Sequence, residues 1–245
     1  MKRIVLMLCS LVCFQLFADQ NSLRYNSSGS SNWVPYYMQD KATPGILGEL
    51  IPRILEQANI PGIEVKMPPK RTNQALIDGE LDFDAVCAEW FPKQYVGPEF
   101  VLSKPLFTIK EYFVGLTDKS KTAHLDHHNI GTVLGYYYYD DNTFNRVDFR
   151  SERELILALK KARVSRILIG DLTASYWAKK YDVDLQFQKL HTQGLLRIRL
   201  NKQKQHLLPR LNAAIDALYE QGVISNIVDK YTRLYSKDEL NLTND

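Results

Sequence analysis

The chain has 245 residues, 45% apolar and 24% charged, a composition that describes a globular protein rather than a disordered, fibrous or many-span membrane one. Thirty-one basic and 28 acidic residues give a formal net charge of +3, and two of the cations, Lys2 and Arg3, lie in an N-terminal segment with no acid. Without that segment the chain is close to neutral, which excludes the basic field of a general nucleic-acid binder or a membrane-surface face.

Residues 1–18 read as a secretory signal peptide: a positive tip, the apolar run Ile4 to Phe17 and a small residue at Ala18. The run is shorter than the ~20 residues of a membrane-spanning helix. Cleavage is expected after Ala18, leaving a soluble periplasmic protein. Cys9 and Cys13 leave with the segment, so Cys87 remains alone and no internal disulfide is expected.

Leu23 to Asn26 is a short strand, followed by the turn-rich residues 27–32 and an aromatic loop from Trp33 to Tyr37. Leu47, Ile51, Ile54 and Leu55 recur at helical spacing after Gly45. Ile63 to Met67 alternates as a strand, Arg71 to Ile77 reads as a helix closed by Gly79, Phe83 to Ala88 as a buried strand, and Phe107 to Leu116 as a longer one. In the second half, Asn129 to Leu134 is a strand ending at Gly135. Ser151 and Glu154 form a capping box for a helix through Ala162. The strand Ile167 to Ile169 runs into Asp171 and a helix from Thr173 to Lys180. Two strands follow, Val183 to Leu190 and Leu195 to Leu200, then two amphipathic helices, the first with Pro209 near its start and Gly222 after its end. Strands alternating with helices predict an α/β architecture with largely parallel sheets.

The ordered set of segments resembles the periplasmic solute-binding proteins of polar amino-acid uptake, family 3. The shared features are Pro35-Tyr36 after the first strand and Gly45-Ile46-Leu47-Gly48-Glu49-Leu50 before the first helix. Arg71 followed by Leu76-Ile77-Asp78-Gly79-Glu80-Leu81-Asp82 comes next, then Ser103-Lys104-Pro105, then Ile130 to Gly135, and then Gly194 to Leu200 ahead of the last helices. The match spans nearly the whole mature chain. It implies a two-lobed periplasmic-binding-protein fold of type II, two parallel-rich sheets joined by two hinge strands. Lobe one would comprise 19–112 and 196–245, and lobe two 113–195. A small-molecule solute would lie between them, delivered by a monomer to an inner-membrane ABC permease.

An amino-acid-like ligand needs an acid for its ammonium, a donor fork for its carboxylate and an apolar wall. The resemblance implies an arginine shortly after the third strand for the carboxylate. Here Lys93 and Gln94 stand in that stretch, and Arg71 is the substitute cation considered. Asp171, at the carboxyl end of a strand, is the expected partner of the ammonium, against its alternative as a helix cap. Trp33, Tyr36, Trp90 and Tyr136 are candidate walls and Glu89 a candidate second acid, against plain packing or solvation.

An enzyme is not expected. There is no Gly-x-Ser-x-Gly elbow, phosphate loop or HExxH. Cys87 lies in an apolar strand, and His124, His127 and His128 lack zinc-site spacing, so neither a cofactor nor a metal is expected. Two other readings keep the fold: a ligand-sensing module docking on a membrane receptor, and a small lyase or dehydratase.

Overall fold

A computed structural model of the chain describes residues 22–235. The signal segment and cleavage site expected at 1–18 lie outside them. No helix among the described residues is long and apolar enough to cross a membrane.

The elements run β1 (Leu23–Asn26), α1 (Ile46–Gln57), β2 (Gly62–Glu64), α2 (Pro69–Ile77), β3 (Phe83–Cys87) and β4 (Phe100–Leu116). They continue through β5 (Asn129–Val133), β6 (Asn145–Phe149), α3 (Glu152–Lys160), β7 (Arg166–Gly170) and α4 (Asp171–Tyr181). The last are β8 (Leu185–Asn201), α5 (Leu208–Glu220) and α6 (Val223–Tyr235). The strand order is β2-β1-β3-β8-β4-β7-β5-β6. Two groups are internally parallel, β2-β1-β3 and β6-β5-β7. Between them run β8 and β4, each 17 residues long, antiparallel to one another and to their outer neighbours. The expected two-lobed α/β fold is present, and its joining strands make one continuous curled sheet of the two halves.

Two main cores correspond to the two halves. Ile46, Leu47, Leu50, Ile51, Ile54 and Leu55 of α1 bury one helix face against Leu23, Phe83, Leu196, Ile198 and the stripe Leu211, Ile215 and Leu218 of α5. Each such Leu or Ile contributes about 1.5–3 kcal/mol when fully buried. The other core gathers Val114, Val133, Leu155, Ile156, Leu159, Ile167 and Trp177.

Some elements differ from expectation. The second helix begins at Pro69, a residue suited to the first helical turn, so the strand before it stops at Glu64. The two strands expected at 183–190 and 195–200 are the single β8, and β4 starts seven residues earlier than expected, with register shifts around Pro105. The edge strand β6 was not foreseen. At α3, Ser151 caps the Glu154 amide as expected, but the Glu154 carboxylate reaches back to the Arg150 amide rather than to that of Ser151.

Candidate functional site

The parallel strands β1 and β3 end at one wall of a cavity of about 80 Å³. Asn26 and Ser27 from the end of β1 and Asp84, Ala85 and Val86 from β3 line it, as open α/β sheets lead one to expect at strand carboxyl ends. Thr72 and Asn73 of α2 flank it, and Trp33, Trp90, Gly135, Tyr136, Tyr137 and Glu111 complete the wall.

Of the expected wall residues, Trp33, Trp90 and Tyr136 line the cavity together. Trp33 meets Trp90 edge-on with ring centres 6.2 Å apart. Tyr36 does not line the cavity. It is buried behind Trp33, 4.6 Å from it, and stacks on Phe107. The Tyr136 hydroxyl donates to Glu152 Oε1 at 2.6 Å and accepts from the Ser30 amide at 3.2 Å. Ser30 Oγ also donates to Glu152, and this buried carboxyl is pushed up by desolvation against the pull of those two hydroxyls.

The charged expectations divide differently. Arg71 is exposed on α2 and is not among the residues around the cavity, to which α2 contributes Thr72 and Asn73. Lys93 and Gln94, in the stretch where the resemblance implies an arginine, are exposed at positive φ, 56° each. Glu89 accepts from Cys87 Sγ at 2.9 Å and turns away from the cavity lining; burial, then Glu89, pushes the Cys87 thiol far up. Asp171 is the first residue of α4, after the N-cap Gly170, and its Oδ1 accepts from the Leu172 amide at 2.8 Å. It is not among the residues lining the cavity; desolvation raises its pKa, and its charge raises those of Tyr36 and Glu111.

Three charged residues not foreseen dominate the site. Arg199 of β8 lies opposite Asp84 of β3 in the antiparallel register and donates to it at 2.9 and 2.7 Å. Its Nη2 also reaches Asn73 at 3.2 Å, and its guanidinium packs over the rings of Phe100, Phe91 and Tyr137. Glu111 of β4 lies between Gly170 and Thr192 on the neighbouring strands. Burial pushes its carboxyl up to about 8 against the pull of the Trp90 indole N–H, with Glu152 and Asp171 adding to the rise. Glu111 Oε2 and Trp90 Nε1 are both buried and make no hydrogen bond of full geometry, although the indole N–H and the Thr192 hydroxyl lie close enough to pull on the carboxyl. Asp84 is the single charge of the apolar strand β3, and that isolation was an available signal; Glu111 follows Lys110 in β4 and Arg199 follows Arg197 in β8, so neither stood out.

Several contacts hold the two halves against each other around the cavity. Asn73 Nδ2 donates to the Gly135 carbonyl at 2.8 Å, Trp177 Nε1 to the Asn32 carbonyl at 2.9 Å, and Phe91 packs on Tyr137 at 4.4 Å.

No protein-family model matches the chain, and no curated protein matches it. Solved structures do. A substrate-binding protein of an ABC uptake transporter from Streptococcus pneumoniae, with bound histidine, is 16% identical, with 89% of this chain and 95% of that chain covered at a TM-score of 0.72. A periplasmic His/Glu/Gln/Arg/opine family-binding protein from Silicibacter pomeroyi, in complex with lysine, is 15% identical over 88% of this chain and 98% of its own, at 0.70. An ancestral amino acid-binding protein, a precursor of cyclohexadienyl dehydratase, is 15% identical over 89% and 98%, at 0.67. At these identities the likeness establishes the fold: the chain has the two-lobed architecture of the amino-acid-binding proteins that serve ABC transporters.

Proposed function

We propose that the protein is a periplasmic binding protein, a monomer, whose lobe one (19–112 with 196–245) and lobe two (113–195) close over a small amine-bearing ligand of amino-acid size and deliver it to an inner-membrane ABC permease. One observation carries the reading: a cavity lined by the four aromatic residues Trp33, Trp90, Tyr136 and Tyr137 and by the buried carboxyl of Glu111, enclosed by residues from both halves of the chain. The names of the similarly folded proteins, which bind histidine or lysine, support the ligand class and the transporter partner. Ligand contacts from both lobes favour the closed state to the extent that they are stronger there than in the open one.

The test is a thermal-shift screen of residues 19–245 against amino acids, amines, polyamines and small carboxylates. A native-state ligand at a hundred times its dissociation constant adds about 2.7 kcal/mol, a rise of several degrees for a protein of this size. One responding chemical class is the expected result. Absence of any shift from a folded protein sinks the reading.

Glu111 also favours a second reading. A carboxyl at a cavity wall with a pKa of about 8 exchanges protons readily at neutral pH, as a general acid or base must, and one similarly folded protein is a precursor of a dehydratase. Proton NMR of each bound compound separates the two: a binding protein leaves it intact, and a lyase consumes it.

A further inference from the structure

Which amine-bearing ligand the cavity takes can be argued from its charges, and the argument rests on the binding-protein reading above. No lysine, arginine or histidine lines the cavity; its ionisable carboxyls are Asp84 and Glu111. The adjacent guanidinium of Arg199 is closed to a ligand. Two of its bonds go to Asp84, a third to Asn73, and ring faces cover it at 4.9, 5.5 and 5.7 Å. Asp84 is thereby neutralised by an ion pair, whereas Glu111 is neutral only while it holds its proton, below about pH 8: neither it nor Glu152 behind Tyr136 has an ion-pair partner among the described residues. Lys93 and Gln94 are turned to solvent.

An α-carboxylate entering this cavity would face Glu111 with no cation to meet it, and burying an unpaired charge is costly. A protonated amine or quaternary ammonium meets the reverse situation. It finds a buried carboxyl with no ion-pair partner among the described residues, and the aromatic side chains Trp33, Trp90, Tyr136 and Tyr137 around the cavity offer the cation–π attraction that such rings supply. We propose that the cavity binds an organic cation that carries no carboxylate, a primary amine or quaternary ammonium, with Glu111 as its counter-ion and Trp33 and Trp90 as its walls.

The experiment is calorimetric titration of the mature chain at pH 9, above the Glu111 value of about 8, where its carboxylate is formed. The titrants are matched pairs that differ by the carboxylate alone: agmatine and arginine, cadaverine and lysine, histamine and histidine, tyramine and tyrosine, with choline added. The expected result is an amine, or choline, binding at least tenfold tighter than any of the amino acids. Its affinity should fall about tenfold or more in Glu111→Gln, the cost of removing a charged hydrogen-bond partner, and stay unchanged in Arg71→Ala. An amino acid that outbinds its amine overturns the inference and leaves the binding-protein reading standing. So does an amine whose affinity ignores Glu111→Gln. Silence from every titrant, with the protein folded, removes the binding-protein reading and the inference together.

Discussion

Glu111 is held at an unusual protonation state by its surroundings. Its desolvated carboxyl faces Trp90, Thr192, Glu152 and Asp171, and its own charge is felt by Tyr36, Tyr138 and Cys87. In the unfolded chain the proton leaves near 4.5, while in the folded protein it stays to about 8. The folded state therefore binds more protons between those values, and this group's contribution to stability declines as pH rises through that window. Glu111→Gln removes the decline. Its melting temperature is expected to exceed that of the parent by on the order of several degrees at pH 8 and by little at pH 5. An equal difference at both pH values in calorimetric melts would show that Glu111 titrates normally. At this scale three of the four expected walls of the candidate site line the cavity, Tyr36 does not, and the charges around it were not legible in the sequence. Trp33 and Trp90 stand in turns after strands, without core periodicity, and Tyr136 stands beside Gly135, so all three pointed to a site. Asp84 and Arg199 meet only because β3 and β8 pair antiparallel, 115 residues apart, and no local pattern encodes that register. The exposed position of Arg71 likewise follows from the rotation of α2 about its own axis, which a short helix with few apolar residues leaves open.

Among the elements, β4 and β8 decide the architecture. Gly194, preceded by His191, Thr192 and Gln193, reads locally as a strand break, and Pro105 falls before the expected start of its strand. In the fold both lie inside long strands. The register shifts on either side of Pro105 absorb its missing donor, as bulges do. Gly194 is required by a neighbour: a methyl group there would collide with the Glu89 carboxylate and Cys87 Sγ. Gly194→Ala must therefore displace the turn that carries Trp90, and it is expected to destabilise the protein by about 1–3 kcal/mol, as overpacking does. Urea unfolding measures this, and an unchanged midpoint would mean that the turn yields freely. The helices were read well because α1, α5 and α6 each keep one continuous apolar stripe. β6 was missed because it is a partly exposed edge strand, with Arg146 pairing to Asp141 and Asp148 on its surface.

At the scale of the molecule, the two halves meet around the cavity through a small number of directional contacts. Gly135 is central to them. Its φ of +85° suits glycine, and a Cβ on it would press on the Lys70 backbone, 2.8 Å from Cα. Gly135→Ala is expected to oppose closure without touching either core. Ligand affinity should drop about tenfold, and the radius of gyration in solution scattering should rise in the presence of ligand. Parent-like values for both would show that closure does not pass through this contact. The two-lobed plan itself was legible from the order of weak motifs. The contacts across the junction were not, because they join segments distant in sequence through backbone carbonyls such as those of Gly135 and Asn32, which carry no side-chain signal.

The chain has three tryptophans; Trp33 and Trp90 line the cavity, and Trp177 bonds across the junction to Asn32. Intrinsic fluorescence therefore reports on the cavity and on the junction of the two halves, with no label added. The most direct measurement is a fluorescence titration of residues 19–245 and of their Glu111→Gln variant with whichever amine gives the largest thermal shift. A saturable change in the parent, at least tenfold weaker in the variant, is the predicted result. Stabilisation by the amine with all three tryptophans silent would contradict the account, because the ligand would then be bound somewhere other than between the lobes.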